Sequence, residues 1–214
     1  MRLKNIPGSR ETIAGSELVI HEPEKLKGSW NEEFGRKAAL AAEIGMGKGR
    51  FLMGMSGEHP DTDFIGIEKY SSVLLRACQK LEADPRDNVR LIRMDAEYIT
   101  EVFGKGELDV IYLNFSDPWP KDRHAKRRLP SRQFLARYDL ILKEEGRIEF
   151  KTDNRELFDF AVEETKESPF EISDITYDLH NDAGMNAGNI MTEYEERFSS
   201  QGNPIFKYVL KRRK

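Results

Sequence analysis

Short apolar runs alternate with longer amphipathic segments along the chain from residue 38 onward. This alternation is typical of strand–helix units that build a mostly parallel β-sheet. We predict strands at residues 39–44, 64–67, 89–94, 108–115, 147–151, 171–179 and 205–211. We predict helices at residues 50–58, 71–82, 96–103, 131–142, 155–166 and 193–200. The pattern therefore favours the α/β fold class.

The length and the turn residues suggest how the chain is organised. Its 214 residues are enough for one α/β domain with a sizeable core, which we place at residues 38–214. Residues 1–37 are punctuated by proline and glycine, which predicts a mobile arm. Residues 181–189 are polar and contain glycines, which predicts an exposed loop. The first thirty residues contain no apolar run longer than Leu18–Ile20, so we expect no signal peptide, no membrane span and a cytoplasmic location.

The cysteine and histidine content argues against disulfide and metal chemistry. Cys78 is the only cysteine, which excludes an internal disulfide, and we predict that it is a core thiol on a helix. The four histidines lack the short spacings of zinc ligands; they are His21, His59, His124 and His180. We therefore expect no bound metal.

The distribution of charge favours a local contact with nucleic acid. The formal net charge of −4 argues against a protein that coats nucleic acid nonspecifically. A basic run occupies residues 121–137, where Asp122 is the only acid, and the chain ends in the basic residues 211–214. A charge run is usually a solvated face, but this one directly follows a proline-rich loop. We interpret residues 121–137 as a surface for RNA phosphates, with binding that weakens steeply as salt rises.

A glycine-rich turn follows the first predicted strand. It contains Glu43, Gly45, Gly47 and Gly49 in the pattern E-x-G-x-G-x-G, and glycines let the backbone approach a ligand closely. A dinucleotide fingerprint would need a third glycine where this chain has Arg50, and a P-loop would need a serine or threonine after the lysine of the turn. Both interpretations therefore fail. The pattern instead resembles the first motif of Rossmann-like S-adenosylmethionine methyltransferases.

Acidic residues lie at the ends of three successive predicted strands. A carboxylate at Glu43 favours a ligand with an ammonium or sulfonium group over an anionic pyrophosphate. Glu68 can accept both hydroxyls of a ribose. Asp95 suits the adenine amine, and it is equally suited to cap the helix that follows. We expect these acids and Asp117, after the fourth strand, to open onto one pocket at the carboxyl edge of the sheet.

The loop after the fourth predicted strand carries the most specific motif. Two prolines restrict the backbone of Asn114-Phe115-Ser116-Asp117-Pro118-Trp119-Pro120-Lys121. This run, with Arg123-His124 and Lys126-Arg127-Arg128-Leu129 after it, is very similar to the bacterial tRNA (guanine-N7)-methyltransferases. The same resemblance holds for Phe150-Lys151-Thr152-Asp153-Asn154 and Asn189-Ile190-Met191-Thr192-Glu193-Tyr194-Glu195. The resemblance extends from about Trp30 to the last predicted strand.

The resemblance implies both a fold and an activity. The fold is a Rossmann-like methyltransferase sheet of seven strands, mostly parallel with one antiparallel strand, and helices on both faces. The activity is methyl transfer from S-adenosylmethionine to N7 of a guanosine in the variable loop of tRNA, with S-adenosylhomocysteine as the product. On this resemblance we expect tRNA as the partner, no obligate protein partner, no membrane, and a monomer or a weak homodimer.

The resemblance also assigns roles to individual residues. The active-site residue would be Asp117. The residues that bind the cofactor would be Glu43, Gly45, Gly47, Gly49, Glu68, Asp95 and Asp117. The residues that bind the substrate would be Lys121, Asp153, Thr192, Glu193, Tyr194 and Glu195. The residues that contact RNA would be Arg123, His124, Lys126, Arg127 and Arg128.

The chemistry at guanine N7 limits what Asp117 has to do. N7 already carries a free lone pair and loses no proton on methylation, so catalysis relies mainly on positioning, worth up to about 7–11 kcal/mol. We interpret Asp117 as an orienting acceptor rather than a general base, and a rate that follows the titration of Asp117 would contradict this. Its alternative role is that of a turn residue before Pro118.

Guanine presents N1–H and N2–H₂ as a pair of donors that one carboxylate can accept. The candidates are Asp153, Glu193 and Glu195, and we favour Glu195 or Asp153. Both also fit helix capping, because Asp153-x-x-Glu156 and Thr192-x-x-Glu195 have the spacing of a capping box. The substitution Glu195→Gln tests the binding role, since an unchanged enzyme removes this residue from the site.

Two other functions stay open on the sequence alone. An amino-group methyltransferase of nucleic acid or protein would share the cofactor motif, because Asp117-Pro118-Trp119-Pro120 loosely resembles the proline–aromatic loop of those enzymes. A noncatalytic RNA-binding module that kept only the fold is disfavoured by the cofactor acids and the proline loop. Trp30, Phe34 and Trp119 are candidates for stacking on bases. For Phe34 we favour core packing.

Overall fold

A computed structural model describes residues 5–213 of the chain. The β-strands are β1 (Val19–Ile20), β2 (Ala39–Ile44), β3 (Thr62–Glu68), β4 (Val89–Arg93), β5 (Leu108–Asn114), β6 (Leu142–Thr152), β7 (Phe170–Thr176) and β8 (Phe206–Arg212). The α-helices are α1 (Ser9–Ala14), α2 (Trp30–Glu33), α3 (Arg50–Glu58), α4 (Ser71–Ala83), α5 (Ile99–Val102), α6 (Arg132–Ile141), α7 (Arg155–Lys166), α8 (Ala183–Asn186) and α9 (Glu193–Ser199). Short 3₁₀ turns occupy Pro23–Leu26, Ala96–Tyr98, Asp122–Arg127 and Leu179–Asn181.

The sequence pattern locates the main elements closely. The bounds of β2, α3 and α7 match the predicted residues. For the two helices the reason is local, because Gly49 precedes α3 and the capping residue Asn154 precedes α7. The helix predicted at 96–103 is instead a 3₁₀ turn followed by α5, since the Asp95 side chain caps the tighter turn through the amide of Glu97. The strand predicted at 171–179 ends at Thr176, before another 3₁₀ turn. Within the described residues, no helix is long and apolar enough to cross a membrane.

The chain divides into two compact units, residues 1–104 and 105–214. In the first unit the strands lie in the order β1-β4-β3-β2, and each neighbouring pair is parallel. The register places Ile44 beside Ile67 and pairs Glu68, the last residue of β3, with the last residue of β4. The strands β2, β3 and β4 therefore end at the same edge of this unit.

The second unit combines parallel and antiparallel pairing, in the strand order β5-β6-β8-β7. The strands β5 and β6 are parallel, with Asn114 beside Lys151 at their carboxyl ends, whereas β8 runs antiparallel to β6 and to β7. The sequence predicts one antiparallel strand, and β8 is that strand. Residues 5–213 contain eight strands, one more than the seven predicted, because β1 has two residues and is too short for an alternating pattern to reveal it.

The N-terminal segment, residues 1–37, is predicted to be a mobile arm, but its described residues pack within the first unit. The strand β1 pairs with β4, and α1 contacts α4. The amide of Ile6 donates to the hydroxyl of Ser72 at 2.8 Å. Trp30 is 0% exposed, and its indole N–H donates to the carbonyl of Val102 at 3.1 Å. Trp30 is therefore a core residue and does not lie where it can stack on a base.

Cys78 and Phe34 serve packing, as the sequence predicts. Cys78 is buried on α4, and burial raises the pKa of its thiol to about 11, so the thiol stays protonated. Phe34 is half-buried, and the guanidinium carbon of Arg90 lies 4.8 Å from the centroid of its ring. Neither side chain is arranged for catalysis.

We predict that Trp30→Ala lowers the free energy of unfolding by about 3–5 kcal/mol, because it removes a fully buried indole and leaves a cavity. Urea denaturation followed by circular dichroism measures this change. The control is Tyr98→Ala: Tyr98 is 54% exposed, so its loss changes the free energy by at most about 0.5 kcal/mol. A Trp30→Ala protein as stable as the wild type would contradict the packing of this segment.

Candidate active site

The glycine turn between β2 and α3 has a backbone that only glycine adopts easily. Gly45, Gly47 and Gly49 have φ angles of 74°, 61° and 77°, all in the left-handed region. The amide of Gly45 donates to the carbonyl of Ile67 at 2.9 Å, which ties the turn to β3. A Cβ at Gly47 would meet no atom within 4 Å, whereas one at Gly49 would lie 3.1 Å from the Cβ of Ala77. Gly49 is thus needed for helix packing, and Gly47 leaves the backbone open to a ligand.

Glu68, at the end of β3, holds the glycine turn through its carboxylate. Its Oε2 accepts from the amide of Gly47 at 3.2 Å, and its Oε1 accepts from the amide of Tyr70 at 2.9 Å. These two amides fix the orientation of the carboxylate at the turn, and a carboxylate is the kind of acceptor that a ribose hydroxyl requires. The predicted ribose acid therefore lies directly at the glycine turn.

Glu43 and Asp95 are the other two predicted cofactor-binding acids of the first unit. Glu43 is buried in β2, where it lies beside Gly66 of β3. Asp95 accepts from the amide of Glu97 at 3.1 Å and pairs with the ammonium of Lys69 at 2.5 Å. The hydrogen bond to Asp95 raises the pKa of Lys69, so this lysine stays charged at neutral pH. The capping role of Asp95 is confirmed, and its contact with adenine stays a prediction.

The proline loop of the second unit is strained on both sides of Asp117. Phe115 and Trp119 have φ angles of 51° and 44°, in a region that residues other than glycine rarely adopt. Each such residue costs about 1–3 kcal/mol and persists only where its surroundings fix it. The amide of Phe115 donates to the carbonyl of Lys151 at 2.8 Å, which extends the pairing of β5 with β6 into the loop. Asp117 itself is exposed between these two fixed residues.

Arg128 fastens the far side of the proline loop. Its Nε donates to the carbonyl of Pro118 at 2.9 Å, and its Nη2 donates to the carbonyl of Trp119 at 3.0 Å. Its guanidinium carbon lies 4.3 Å from the ring centroid of Phe160 on α7. The sequence predicts an RNA contact for Arg128, whereas in the structure this half-buried side chain directs Nε and Nη2 at carbonyls of the loop.

The other predicted RNA-contact residues share one short segment around the 3₁₀ turn Asp122–Arg127. His124 lies edge-on to the ring of Trp119 at 5.5 Å, and the guanidinium of Arg127 lies over the same ring at 5.2 Å. Trp119 is half-buried by these contacts. The exposed cations of this segment are Lys121, Arg123, Lys126 and Arg127. The structure therefore brings the predicted RNA contacts together beside the proline loop.

The predicted basic surface is shorter than the run of basic residues. Arg132 pairs with Glu164 at 2.8 Å, and its own amide donates to the same carboxylate at 2.7 Å. Arg137 lies over the ring of Phe134 at 4.9 Å. These two arginines are engaged within the second unit, so we restrict the surface for phosphates to residues 121–127.

Glu195, predicted to read guanine or to complete a cap, is 0% exposed. Its Oε2 pairs with the ammonium of Lys151 at 2.7 Å, and its Oε1 accepts from the amide side chain of Asn189 at 2.8 Å. The same ammonium donates to Asn189 at 2.9 Å and to the carbonyl of Ile190 at 3.1 Å. His180 lies 3.4 Å from Oε1 of Glu195. The carboxylate thus anchors α9 to the end of β6, and its burial argues against direct contact with guanine.

Thr192 forms its half of the predicted capping box, and Glu195 does not form the other half. The hydroxyl of Thr192 accepts from the amide of Glu195 at 2.9 Å, so Thr192 is the N-cap of α9. In a full capping box the carboxylate of Glu195 would return to the amide of Thr192. Here it turns inward to Lys151, because a buried ammonium needs a charged partner more than an exposed helix end does. Glu193, also predicted to bind substrate, is half-buried in the first turn of α9.

Asp153 is the accessible carboxylate at the end of β6. The cap of α7 is Asn154, whose side chain accepts from the amide of Leu157 at 2.7 Å, so the capping interpretation of Asp153 is wrong by one residue. The hydroxyl of Tyr194 donates to Asp153 at 3.3 Å. Burial raises the pKa of Tyr194, and the charge of Asp153 adds to this effect, so the phenol stays protonated. Asp153 is therefore oriented by Tyr194, and its carboxylate does not serve as a helix cap.

Lys151 and Asn189 hold the predicted substrate segment in place, and neither is among the predicted site residues. A signal for Lys151 exists in the sequence, because a lysine within an apolar strand needs an acidic partner. That signal does not tell which acid is the partner. Asn189 is marked by its place at the start of the family-like run of residues 189–195, but nothing in that run shows that its side chain pairs with Lys151 and Glu195.

Comparison with known proteins assigns these features to one class. The model of a family described as "Putative methyltransferase" matches residues 37–208. Among solved structures, an antibiotic-related methyltransferase matches with a TM-score of 0.66 and 20% identity, over 87% of this chain and 94% of that chain. The 16S rRNA methyltransferase KamB matches with a TM-score of 0.65 and 12% identity, again over 87% and 94%. The fold is therefore the predicted α/β Rossmann-like fold of methyltransferases.

Relatives that span the chain narrow this class. A Lachnoclostridium phytofermentans protein named tRNA (guanine-N(7)-)-methyltransferase is 56% identical over 100% of both chains. Proteins of the same name from Exiguobacterium sp. and Enterococcus faecalis are each 47% identical, over 97% of this chain and 96% of their own length. The chain belongs to the tRNA (guanine-N(7)-)-methyltransferase family, whose members depend on S-adenosylmethionine. The resemblance seen in the proline loop is thereby confirmed.

We predict that Glu195→Gln lowers the free energy of unfolding by about 3–5 kcal/mol, because the buried ammonium of Lys151 loses its charged partner. Chemical denaturation measures this change. The matched control is Glu163→Gln: Glu163 pairs with Lys166 at 2.6 Å, but both are exposed, so we expect a loss of about 0–1 kcal/mol. Unchanged stability with a raised KM for tRNA would show instead that Glu195 binds substrate.

Proposed function

We propose that this protein transfers a methyl group from S-adenosylmethionine to N7 of a guanosine in the variable loop of tRNA. Membership in the family supports the reaction, and the resemblance of the proline loop and of Thr192–Glu195 supports the variable loop as its place. The observation that carries the proposal is the edge of the first unit where Glu68 holds the open glycine turn. The proposal includes a cytoplasmic location, a monomer or weak homodimer, and no obligate protein partner.

The residues of the first unit fit S-adenosylmethionine. The open backbone at Gly47 allows close approach, and the carboxylate of Glu68 is oriented to accept ribose hydroxyls. The buried carboxylate of Glu43 favours the cationic groups of the cofactor, and Asp95 suits the adenine amine. When bound, the cofactor supplies an electrophilic methyl group. We assign Asp117 of the second unit to cofactor contact on the family resemblance alone.

Asp153 is the carboxylate that we assign to the edge of guanine. It is accessible, it is not used as a helix cap, and the hydroxyl of Tyr194 orients it. An ionised carboxylate accepts from N1–H and N2–H₂ at once. The ring of Tyr194 is 40% exposed and offers an aromatic surface for the base. We add Lys121, Thr192 and Glu193 to the substrate-binding set, and we assign Glu195 an anchoring role in it.

The chain acts by positioning rather than by proton abstraction. Because N7 has a free lone pair and loses no proton, no general base is required, and orientation supplies up to about 7–11 kcal/mol of the lowered barrier. Asp117 serves as the orienting acceptor, held by the strained loop between Phe115 and Trp119. The exposed cations of residues 121–127 bind RNA phosphates and place the nucleotide.

The deciding experiment incubates the purified protein with methyl-labelled S-adenosylmethionine and unmodified tRNA, followed by nucleoside analysis. Labelled 7-methylguanosine is the expected product. A methylated exocyclic amine would instead favour an amino-group methyltransferase. No methylated nucleoside, in a protein that binds S-adenosylmethionine by calorimetry, would overturn the proposal.

We predict that Asp153→Asn lowers kcat/KM for tRNA by about 10- to 100-fold, because the amide presents a donor to the donors of guanine and a charged hydrogen bond is lost. Initial rates at saturating S-adenosylmethionine measure this. The matched control is Asp159→Asn on α7, where an exposed carboxylate pairs with Arg155 in the preceding turn. Equal kcat/KM values for the two variants would remove Asp153 from guanine recognition.

We predict that Arg123→Ala weakens tRNA binding and makes the plot of log affinity against log salt concentration shallower by about 0.7–0.9, the effect of one lost phosphate contact. Fluorescence anisotropy at several salt concentrations measures the slope. The control is Arg132→Ala, whose guanidinium pairs with Glu164, so its slope stays that of the wild type. An unchanged slope in Arg123→Ala would exclude this turn as the phosphate surface.

A further inference from the structure

The proline loop needs an external support on its far side. Phe115, before Asp117, is fixed by its bond to the backbone of β6 at 2.8 Å. Trp119, after Asp117, has a φ angle of 44° and follows a proline, which has no amide hydrogen to donate. The carbonyls of Pro118 and Trp119 both accept from one side chain, that of Arg128. His124 and Arg127 pack on the ring of Trp119, whereas Arg128 supplies the hydrogen bonds that hold the strained backbone on this side.

The geometry suits a guanidinium and no other cation. A guanidinium is planar and carries its donors in a rigid fork, so Nε and Nη2 can reach two successive carbonyls at once. The distances to Pro118 and Trp119 are 2.9 Å and 3.0 Å. The ring of Phe160 lies 4.3 Å from the guanidinium carbon and limits its movement. A lysine has a single nitrogen on a flexible stem and cannot reproduce this paired arrangement.

We propose that Arg128 is a positioning residue that holds the proline loop in its strained form and thereby orients Asp117, rather than a contact to RNA phosphate. This inference rests on the methyl transfer proposed above. Arg128 is half-buried with Nε and Nη2 turned to the loop, whereas Arg123 and Lys126 on the same segment are exposed and suit phosphates. Without Arg128 the loop relaxes, and a displacement of about 1 Å at a reacting centre costs about 100-fold in rate.

Three variants separate positioning from RNA binding: Arg128→Lys, Arg123→Ala and Arg76→Ala. Arg128→Lys keeps the charge but loses the paired donors, so kcat falls by about 10- to 100-fold with an unchanged tRNA Kd and salt slope. Arg123→Ala shows the signature of a lost phosphate contact, a weaker tRNA Kd and a shallower salt slope. Arg76 is an exposed arginine on α4 that donates to Gln79, and its variant leaves all three quantities unchanged.

Tryptophan quenching supplies a readout that needs no methyl transfer. The chain has two tryptophans, and Trp30 is 0% exposed, so acrylamide quenching reports mainly on the half-buried Trp119. We expect Arg128→Lys and Arg128→Ala to raise the quenching constant at unchanged far-UV circular dichroism. Arg76→Ala keeps the wild-type quenching constant.

Two results would overturn the inference. One is wild-type kcat in Arg128→Lys combined with weaker, less salt-dependent tRNA binding in Arg128→Ala, and the other is unchanged quenching in both variants. If the wild type forms no 7-methylguanosine, the proposed function fails, while quenching still decides whether Arg128 holds the loop. If Arg128→Ala does not fold, Phe160→Leu takes its place: removal of the ring under the guanidinium should lower kcat and raise quenching, and wild-type values would refute the support.

Discussion

Parallel pairing within each unit is the constraint on which the candidate site depends. Because neighbouring parallel strands run in the same direction, the residues that follow them meet at one edge. The carboxyl edge of the first unit carries Glu68 and the glycine turn, and the carboxyl edge of the second unit carries the proline loop and Asp153. The register that places Asn114 beside Lys151 lets the next amide pair with β6 before the strained loop begins. The chemical groups thus lie at rigid strand ends and on the loops that directly follow them.

Lys151 connects the two parts of the second unit that are proposed to meet substrate. Its carbonyl holds Phe115 at the start of the proline loop, and its ammonium holds Glu195 on α9, next to Tyr194. A buried ion pair gives little net stability compared with apolar residues of the same volume, because both charges lose their hydration. We interpret the role of this ion pair as positioning, because Lys151 fixes both the loop that carries Asp117 and the helix that carries Tyr194.

Local features of the fold could be predicted from the sequence, because consecutive residues encode them. The left-handed φ angles at Gly45, Gly47 and Gly49 need glycine, and the bounds of α3 and α7 follow from their caps. The choice between distant partners could not be predicted. Glu195 fits a capping box by its spacing, yet its carboxylate pairs with a lysine 44 residues away. Arg128 belongs to a basic run, and only the folded loop shows that its donors face carbonyls rather than solvent.

The two carboxylates first favoured for guanine differ in what binding would require of them. A base-reading carboxylate must exchange water for guanine in every turnover. Release of Glu195 would leave the ammonium of Lys151 buried without its charge partner, at a cost of several kcal/mol, so this exchange is blocked. The carboxylate of Asp153 accepts from the hydroxyl of Tyr194 at 3.3 Å, and such a long hydrogen bond exchanges readily. Family motifs identify which residues matter, whereas burial and the strength of existing partners decide whether a residue binds the substrate or supports the residues that do.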